Sequence, residues 1–155
     1  MISKIVKDLL SANGLTLAAA ESCTGGMVSE MITSIPGASG YFLASCVTYS
    51  NESKVKLLGV YKETITQYGA VSIETAAEMA SGIRNVTGAD IGISTTGIAG
   101  PDGGTDLKPI GTVCFGVDCK GRVITKKEIF EGDRDNIRKQ SSDYVLNLLI
   151  DIITN

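Results

Sequence analysis

Leu15-Thr16-Leu17-Ala18-Ala19-Ala20-Glu21-Ser22-Cys23-Thr24-Gly25-Gly26 runs from a small, apolar segment straight into a polar turn that ends in paired glycines. Leu15 to Ala20 reads as a short buried strand. Cys23-Thr24-Gly25-Gly26 then turns into a helix carried by Met27, Val28, Met31 and Ile32, which stops before Pro36. A buried strand opening into a helix is the repeating unit of an α/β domain.

The same alternation continues on both sides. Ile2, Ile5, Val6, Leu9 and Leu10 recur at helical spacing, and Asn13-Gly14 marks that helix's end. Phe42 to Tyr49 is a second strand, and Ser50 or Asn51 caps a helical stretch from Glu52 to Leu58, before Gly59. Ser72 with Thr75 starts the helix of Ala76, Ala77, Met79, Ala80 and Ile83. Ile91 to Thr95 is a strand leading into glycine-dense Gly97–Gly104. Gly111 to Val117 and Val123 to Phe130 form a hairpin about Gly121. The last helix starts near Asp133 and packs through Ile137, Ser141, Tyr144, Val145, Leu148, Leu149 and Ile152. Helices alternating with strands, interrupted by one hairpin, predict a single three-layer α/β/α domain with a mixed sheet over residues 1–155.

Composition narrows the chemistry. The chain contains no histidine, so a Ser-His-Asp triad, a Cys-His pair and an imidazole metal site are excluded. A hydrolase built from it needs Lys, Tyr, Asp or Glu as base. With 43% hydrophobic and 20% charged residues it has the make-up of a soluble globular protein. The net charge is −3 and basic runs do not exceed pairs such as Lys126-Lys127, which argues against a nucleic-acid partner. Four cysteines without C-x-x-C fit reduced thiols in the cytoplasm. Lys4 and Lys7 precede Leu9 and Leu10, but Asp8, Ser11, Asn13 and Gly14 break any signal-peptide core. No stretch reaches the ~20 apolar residues of a membrane span.

Four polar constellations can carry function. Ser22 and Thr24 stand where a strand meets a helix, either as simple N-caps or beside a bound oxyanion or phosphate, with Gly25 and Gly26 permitting close approach. Cys23 is a rival nucleophile, but no histidine is present to activate it. In Thr48-Tyr49-Ser50-Asn51-Glu52-Ser53-Lys54, Lys54 lies in a helix's first turn. It is a solvated surface lysine, or a base if burial lowers its pKa. Tyr49 either orients Lys54 or is a strand aromatic. Gly97-Ile98-Ala99-Gly100-Pro101-Asp102-Gly103-Gly104 matches neither a Walker A loop nor a dinucleotide fingerprint, and serves as a pocket wall or a tight connection. Arg134 and Arg138, spaced i, i+4, can face one anion or pair with Asp133 and Asp135.

Five ordered segments carry a family resemblance. They are Ala20–Gly26, Val47–Asn51 with Lys54, Gly69-Ala70-Val71-Ser72, Thr96–Gly104, and Gly132-Asp133-Arg134. Together they resemble the CinA C-terminal domain family, whose stand-alone members are nicotinamide-nucleotide amidases. The likeness runs from the first helix to the last. It implies hydrolysis of nicotinamide mononucleotide to nicotinate mononucleotide and ammonia, in pyridine nucleotide salvage, without cofactor or metal. The family's nucleophilic serine falls on Ser22, its lysine base on Lys54 and its tyrosine on Tyr49. Lys54 then takes the Ser22 proton directly or through Tyr49, and the oxyanion sits against N–H groups near Gly25 and Gly26. Around the nucleotide, the expected contacts are Thr24, Gly25, Gly26, Thr48, Asn51, Gly97, Gly100, Asp102, Arg134 and Arg138. Larger two-domain members carry a pyrophosphatase-type domain in front, which has no expected counterpart here, so activities depending on it are not carried over. A nucleotide-binding regulatory module, an amidase for another amide and a competence- or repair-associated scaffold are the competing functions. A homo-oligomer is expected from the base rate for small α/β enzymes.

Overall fold

The computed structural model describes all of residues 1–155. Strand β1 (Leu17–Glu21) pairs in parallel with β2 (Phe42–Val47) on one side and β3 (Ile91–Gly97) on the other. Antiparallel pairs then join β3 to β4 (Thr112–Cys119) and β4 to β5 (Arg122–Ile129), giving the order β2-β1-β3-β4-β5. Helices α1 (Ile2–Asn13), α2 (Met27–Thr33) and α6 (Arg134–Thr154) cover one face. On the other lie α3 (Asn51–Leu58), α4 (Lys62–Tyr68) and α5 (Ile73–Thr87). This is the expected three-layer α/β/α arrangement with a mixed sheet.

All five residues of β1 are buried, which explains why the strand reads as one apolar run rather than an alternating one. Its side chains still alternate in space. Leu17 and Ala19 pack with Val6, Leu10, Val145 and Leu149, whereas Ala18 and Ala20 pack with Met79 and Ile83 of α5. Small residues are needed on the α5 side because that helix lies very close to the sheet. A Cβ placed on Gly92 of β3 would sit 2.1 Å from the Ala80 carbonyl oxygen, and one on Gly116 of β4 would sit 2.4 Å from that of Ala76.

Several boundaries differ from expectation for local reasons. Strand β1 begins at Leu17 because the Leu15 N–H closes onto the Leu10 carbonyl and Thr16 is tied through its N–H and hydroxyl to Asp90. Ile5 stays about half exposed, since the inward stripe of α1 is Ser3, Val6 and Leu10. The hairpin turns on Lys120-Gly121, both at positive φ (52° and 96°), which places β5 one residue earlier than expected. Helix α4 was not expected at all. It has no buried residue and no capping side chain of its own, and its first turn is held instead by Glu78 of α5, which accepts from the Tyr61 N–H and the Thr64 hydroxyl. No helix is long and apolar enough to cross a membrane.

Gly92→Ala should destabilise the fold by about 1–3 kcal/mol, because α5 must move off the sheet to admit the methyl group. Urea titration measures this, and an unchanged midpoint would show that the helix is not seated there.

Candidate active site

The site grows from the end of β1. Glu21, the last residue of the strand, is fully buried and turns its carboxylate towards the start of α2. Oε1 accepts from the Thr24 hydroxyl (2.6 Å) and the N–H groups of Gly26 (3.1 Å) and Val28 (3.0 Å). Oε2 accepts from the Ser29 N–H (3.0 Å) and hydroxyl (2.6 Å). Helix α2 has no side-chain cap at Gly26, so Glu21 supplies one from the preceding strand. Since Thr24 gives its only hydroxyl proton to Glu21, the Thr95 hydroxyl donates in turn to Thr24, 2.8 Å away.

These bonds bend residues 22–26 into a tight turn closed by the Gly25 N–H on the Ser22 carbonyl (3.0 Å). The Met27 N–H goes to the Thr24 carbonyl. Every N–H from Gly25 to Ser29 is therefore committed, and the expected oxyanion site near Gly25 and Gly26 has no free donor. The N–H groups of Ser22, Cys23 and Thr24 donate to no protein group.

Lys54 reaches this turn from the opposite layer. The Ser50 hydroxyl caps α3 by accepting from the Ser53 N–H (3.1 Å), and Lys54 is directed inward, with 1% of its surface exposed. Its Nζ donates to Ser22 Oγ at 3.0 Å and to the Thr48 carbonyl at 2.6 Å, and lies 3.5 Å from the Tyr49 carbonyl. Thr48 is in place because its N–H extends the β1–β2 pairing onto the Glu21 carbonyl. Burial lowers the Lys54 pKa from 10.5 to about 8, against a smaller opposing effect of Cys23. About a tenth of the amine is then neutral at pH 7, against about one in three thousand at the ordinary value. Burial pushes the neighbouring Cys23 thiol up to about 12, which keeps it protonated.

Ser22 and Lys54 open onto a cavity of about 270 Å³. Its walls include Tyr49, Asn51, Gly97, Gly100, Asp102 and Arg134. Ala70 and Val71 join them, held in place by the Thr96 hydroxyl on the Ala70 carbonyl (2.8 Å). The guanidinium of Arg134 donates to the Gly100 carbonyl (2.7 Å) and the Tyr49 hydroxyl (2.9 Å), linking the glycine loop to the rim. Nothing stands between Lys54 and Ser22, and Tyr49 is 61% exposed with its hydroxyl engaged by Arg134, so a proton relay through Tyr49 has no geometric basis.

Five expected contacts do not line the cavity. Thr24 is used by Glu21, Gly25 and Gly26 form the turn, and Thr48 offers only its carbonyl, inward to Lys54. Arg138 is bonded to the Cys23 and Thr24 carbonyls instead of facing the cavity. The roles of Glu21 and Ala70 in building the site carry no local signal beyond membership of the ordered segments, and Thr95 lies outside those segments. A wider surface groove of about 450 Å³ shares Asn51 with this site but includes neither Ser22 nor Lys54. No group of three His, Cys, Asp or Glu side chains is arranged to hold a metal ion.

Fold and pocket thus define an α/β protein in which a serine hydroxyl and a buried lysine amine meet at the carboxyl ends of parallel strands. A family model described as the CinA C-terminal domain matches residues 1–153. Nicotinamide-nucleotide amidohydrolase PncC of Escherichia coli (strain K12) is 48% identical over 149 residues, which cover 96% of this chain and 90% of that protein. A putative competence-damage inducible protein of Moorella thermoacetica is 52% identical over 148 residues, although the match covers only 36% of it. Indeed, the chain spans about a third of the length of several curated relatives. The competence or damage-inducible protein from Enterobacter asburiae superposes with a TM-score of 0.95 at 36% identity, covering 98% of this chain and 96% of that one. The chain belongs to the CinA C-terminal domain family.

Replacing Glu21 by Ala should cost at least about 3 kcal/mol, because several buried donors lose their acceptor together. Thermal unfolding tests this, and a loss below 1 kcal/mol would mean that water replaces the carboxylate.

Proposed function

We propose that this chain is an amidase that hydrolyses nicotinamide mononucleotide to nicotinate mononucleotide and ammonia, with Ser22 as nucleophile and Lys54 as base. The observation that carries the chemistry is the 3.0 Å contact between a serine hydroxyl and a lysine amine whose pKa burial has lowered to about 8. Kinship with the Escherichia coli amidohydrolase over nearly the whole of both chains supports the substrate.

In the resting ammonium form, Lys54 donates to Ser22. Once deprotonated, it keeps two N–H bonds for the Thr48 and Tyr49 carbonyls, and its lone pair points at the Ser22 hydroxyl. Lys54 then takes the Ser22 proton as Oγ bonds to the carboxamide carbon. The carbonyl π electrons move to oxygen, where the uncommitted N–H groups of Ser22 and Cys23, both on the cavity wall, receive the charge. The intermediate collapses, breaking the C–N bond, and Lys54 returns the proton to the leaving amine, so ammonia departs. Water, deprotonated by the same amine, cleaves the resulting ester and frees Ser22. Arg134 is the one arginine on the cavity wall, with three of its five N–H donors unused by the protein, which suits it to the substrate phosphate. The four free cysteines suit a reducing cytoplasm.

Ammonia release from nicotinamide mononucleotide and from other carboxamides, measured for the wild type, Ser22→Ala and Lys54→Met, tests the reading. Each substitution should lower kcat by about 10⁴-fold or more while leaving the protein folded. Full activity in Ser22→Ala sinks the nucleophile assignment, and binding of the nucleotide without turnover in the wild type favours a regulatory module.

The pH profile gives a second check. The base form of Lys54 is the unprotonated one, so kcat/KM should rise about tenfold per pH unit below about 8 and level off above it. A limb near the ordinary lysine value of 10.5 would contradict burial as the activating device.

A further inference from the structure

Arg138, in the second turn of α6, reaches across to the turn that carries Ser22. Its Nε donates to the Cys23 carbonyl at 3.1 Å and its Nη2 to the Thr24 carbonyl at 3.0 Å. The guanidinium passes close to Gly25, at φ +58°, where a Cβ would lie 3.1 Å from Nη2 and would push it back by a few tenths of an ångström. Neither of the protein's ion pairs involves Arg138, so no carboxylate neutralises the charge it presents to these carbonyls.

Each gripped carbonyl belongs to a planar peptide whose N–H points the opposite way. The first peptide joins Cys23 to Thr24, and its N–H is that of Thr24, a fully buried residue that does not line the cavity. The second joins Thr24 to Gly25, and its N–H closes the turn on the Ser22 carbonyl at 3.0 Å; the peptide of that carbonyl carries the N–H of Cys23, an uncommitted donor of a residue on the cavity wall. A guanidinium on the carbonyl side withdraws electron density along the peptide, making the far N–H a stronger donor, and chains of such bonds reinforce one another.

We propose that Arg138 is a positioning residue for the amidase reaction: from behind the wall it orients and polarises the Ser22–Gly25 turn, whose free N–H groups stabilise the oxyanion. This rests on the Ser22 reading above. It replaces the phosphate contact suggested by the i, i+4 spacing of Arg134 and Arg138, which the structure sends to different partners. Arg138 touches neither Ser22 Oγ nor Lys54 Nζ, so its effect falls on the transition state rather than on the base.

The test compares Arg138→Met, which keeps the length and removes the charge, with Arg138→Lys, which keeps the charge. In Arg138→Met, kcat should fall about 10- to 100-fold, with KM within about twofold of wild type and the pH limb still near 8. Arg138→Lys should recover at least about a third of the lost kcat on a logarithmic scale. A fluorophosphonate probe reads the same donors without any amide. Ser22 Oγ bonds to phosphorus, fluoride leaves and Lys54 takes the proton, so labelling should slow by a similar factor in Arg138→Met. Wild-type kcat and labelling rate in Arg138→Met would overturn the proposal. So would a loss accompanied by a shift of the pH limb to the ordinary lysine range, which would place the damage in Lys54. Should the wild type release ammonia from no carboxamide, the amidase reading fails by itself, and the labelling rates still decide the role of Arg138.

Discussion

The local architecture depends on one buried carboxylate. Glu21 ends the buried strand β1 with no solvent contact and receives five hydrogen bonds from Thr24, Gly26, Val28 and Ser29. An ionised carboxylate withdrawn from water is costly unless its lone pairs are filled, and here both oxygens are saturated. The satisfaction is mutual, because α2 is two turns long, starts at a glycine and has no other cap. Strand end, turn and helix start are thereby one unit. Ser22, caught between the carboxylate and the turn it organises, has little freedom to leave the cavity.

The same arrangement keeps two buried ionisable groups from neutralising each other. A carboxylate against Lys54 would hold the amine protonated. Glu21 instead points back along α2, and the amine is surrounded by a hydroxyl and two neutral carbonyls. With no ion-pair partner, Lys54 is governed mainly by burial, which favours the neutral form. A chain without histidine has few ways to place a general base near neutral pH, and a dry, unpaired lysine is one of them. The same burial acts in the opposite direction on acid strength at Cys23, whose thiol stays protonated.

What was legible in the sequence follows from where each determinant sits. Helices α3, α5 and α6 begin at Ser50, Ser72 and Asp133, each of which caps the N–H three residues on, so the signal lies within one turn of the boundary. The buried runs of β1 and β3 were equally plain. Helix α4 was invisible because its cap, Glu78, comes from another helix and its only packing residue of note is the partly buried Ile65. The site shows the same division. Ser22, Lys54 and the glycine loop were recognisable as ordered segments, whereas Thr24 and Arg138 were placed near the ligand although both serve the turn from behind. Residue type and spacing tell which face of an element a side chain occupies, but not which distant backbone atoms it will meet.

Such non-local determinants make the sheet register part of the chemistry. Glu21 pairs with Val47, and the next step of that ladder sets the Thr48 N–H on the Glu21 carbonyl. This single alignment puts Ser22 at the end of β1 beside the Thr48 carbonyl that receives the Lys54 amine. A slip of one residue between β1 and β2 would turn the inward side chains of β2 outward and carry the Thr48 carbonyl away from the amine. The irregularity between Leu17 and Ala18 lies at the opposite end of the pairing, and the four consecutive pairs from Ala18 to Glu21 are regular up to the site. Register here is constrained twice, by the two hydrophobic cores that β1 divides and by the polar contacts at its end, so the strand that organises packing also sets the geometry of the serine and the lysine.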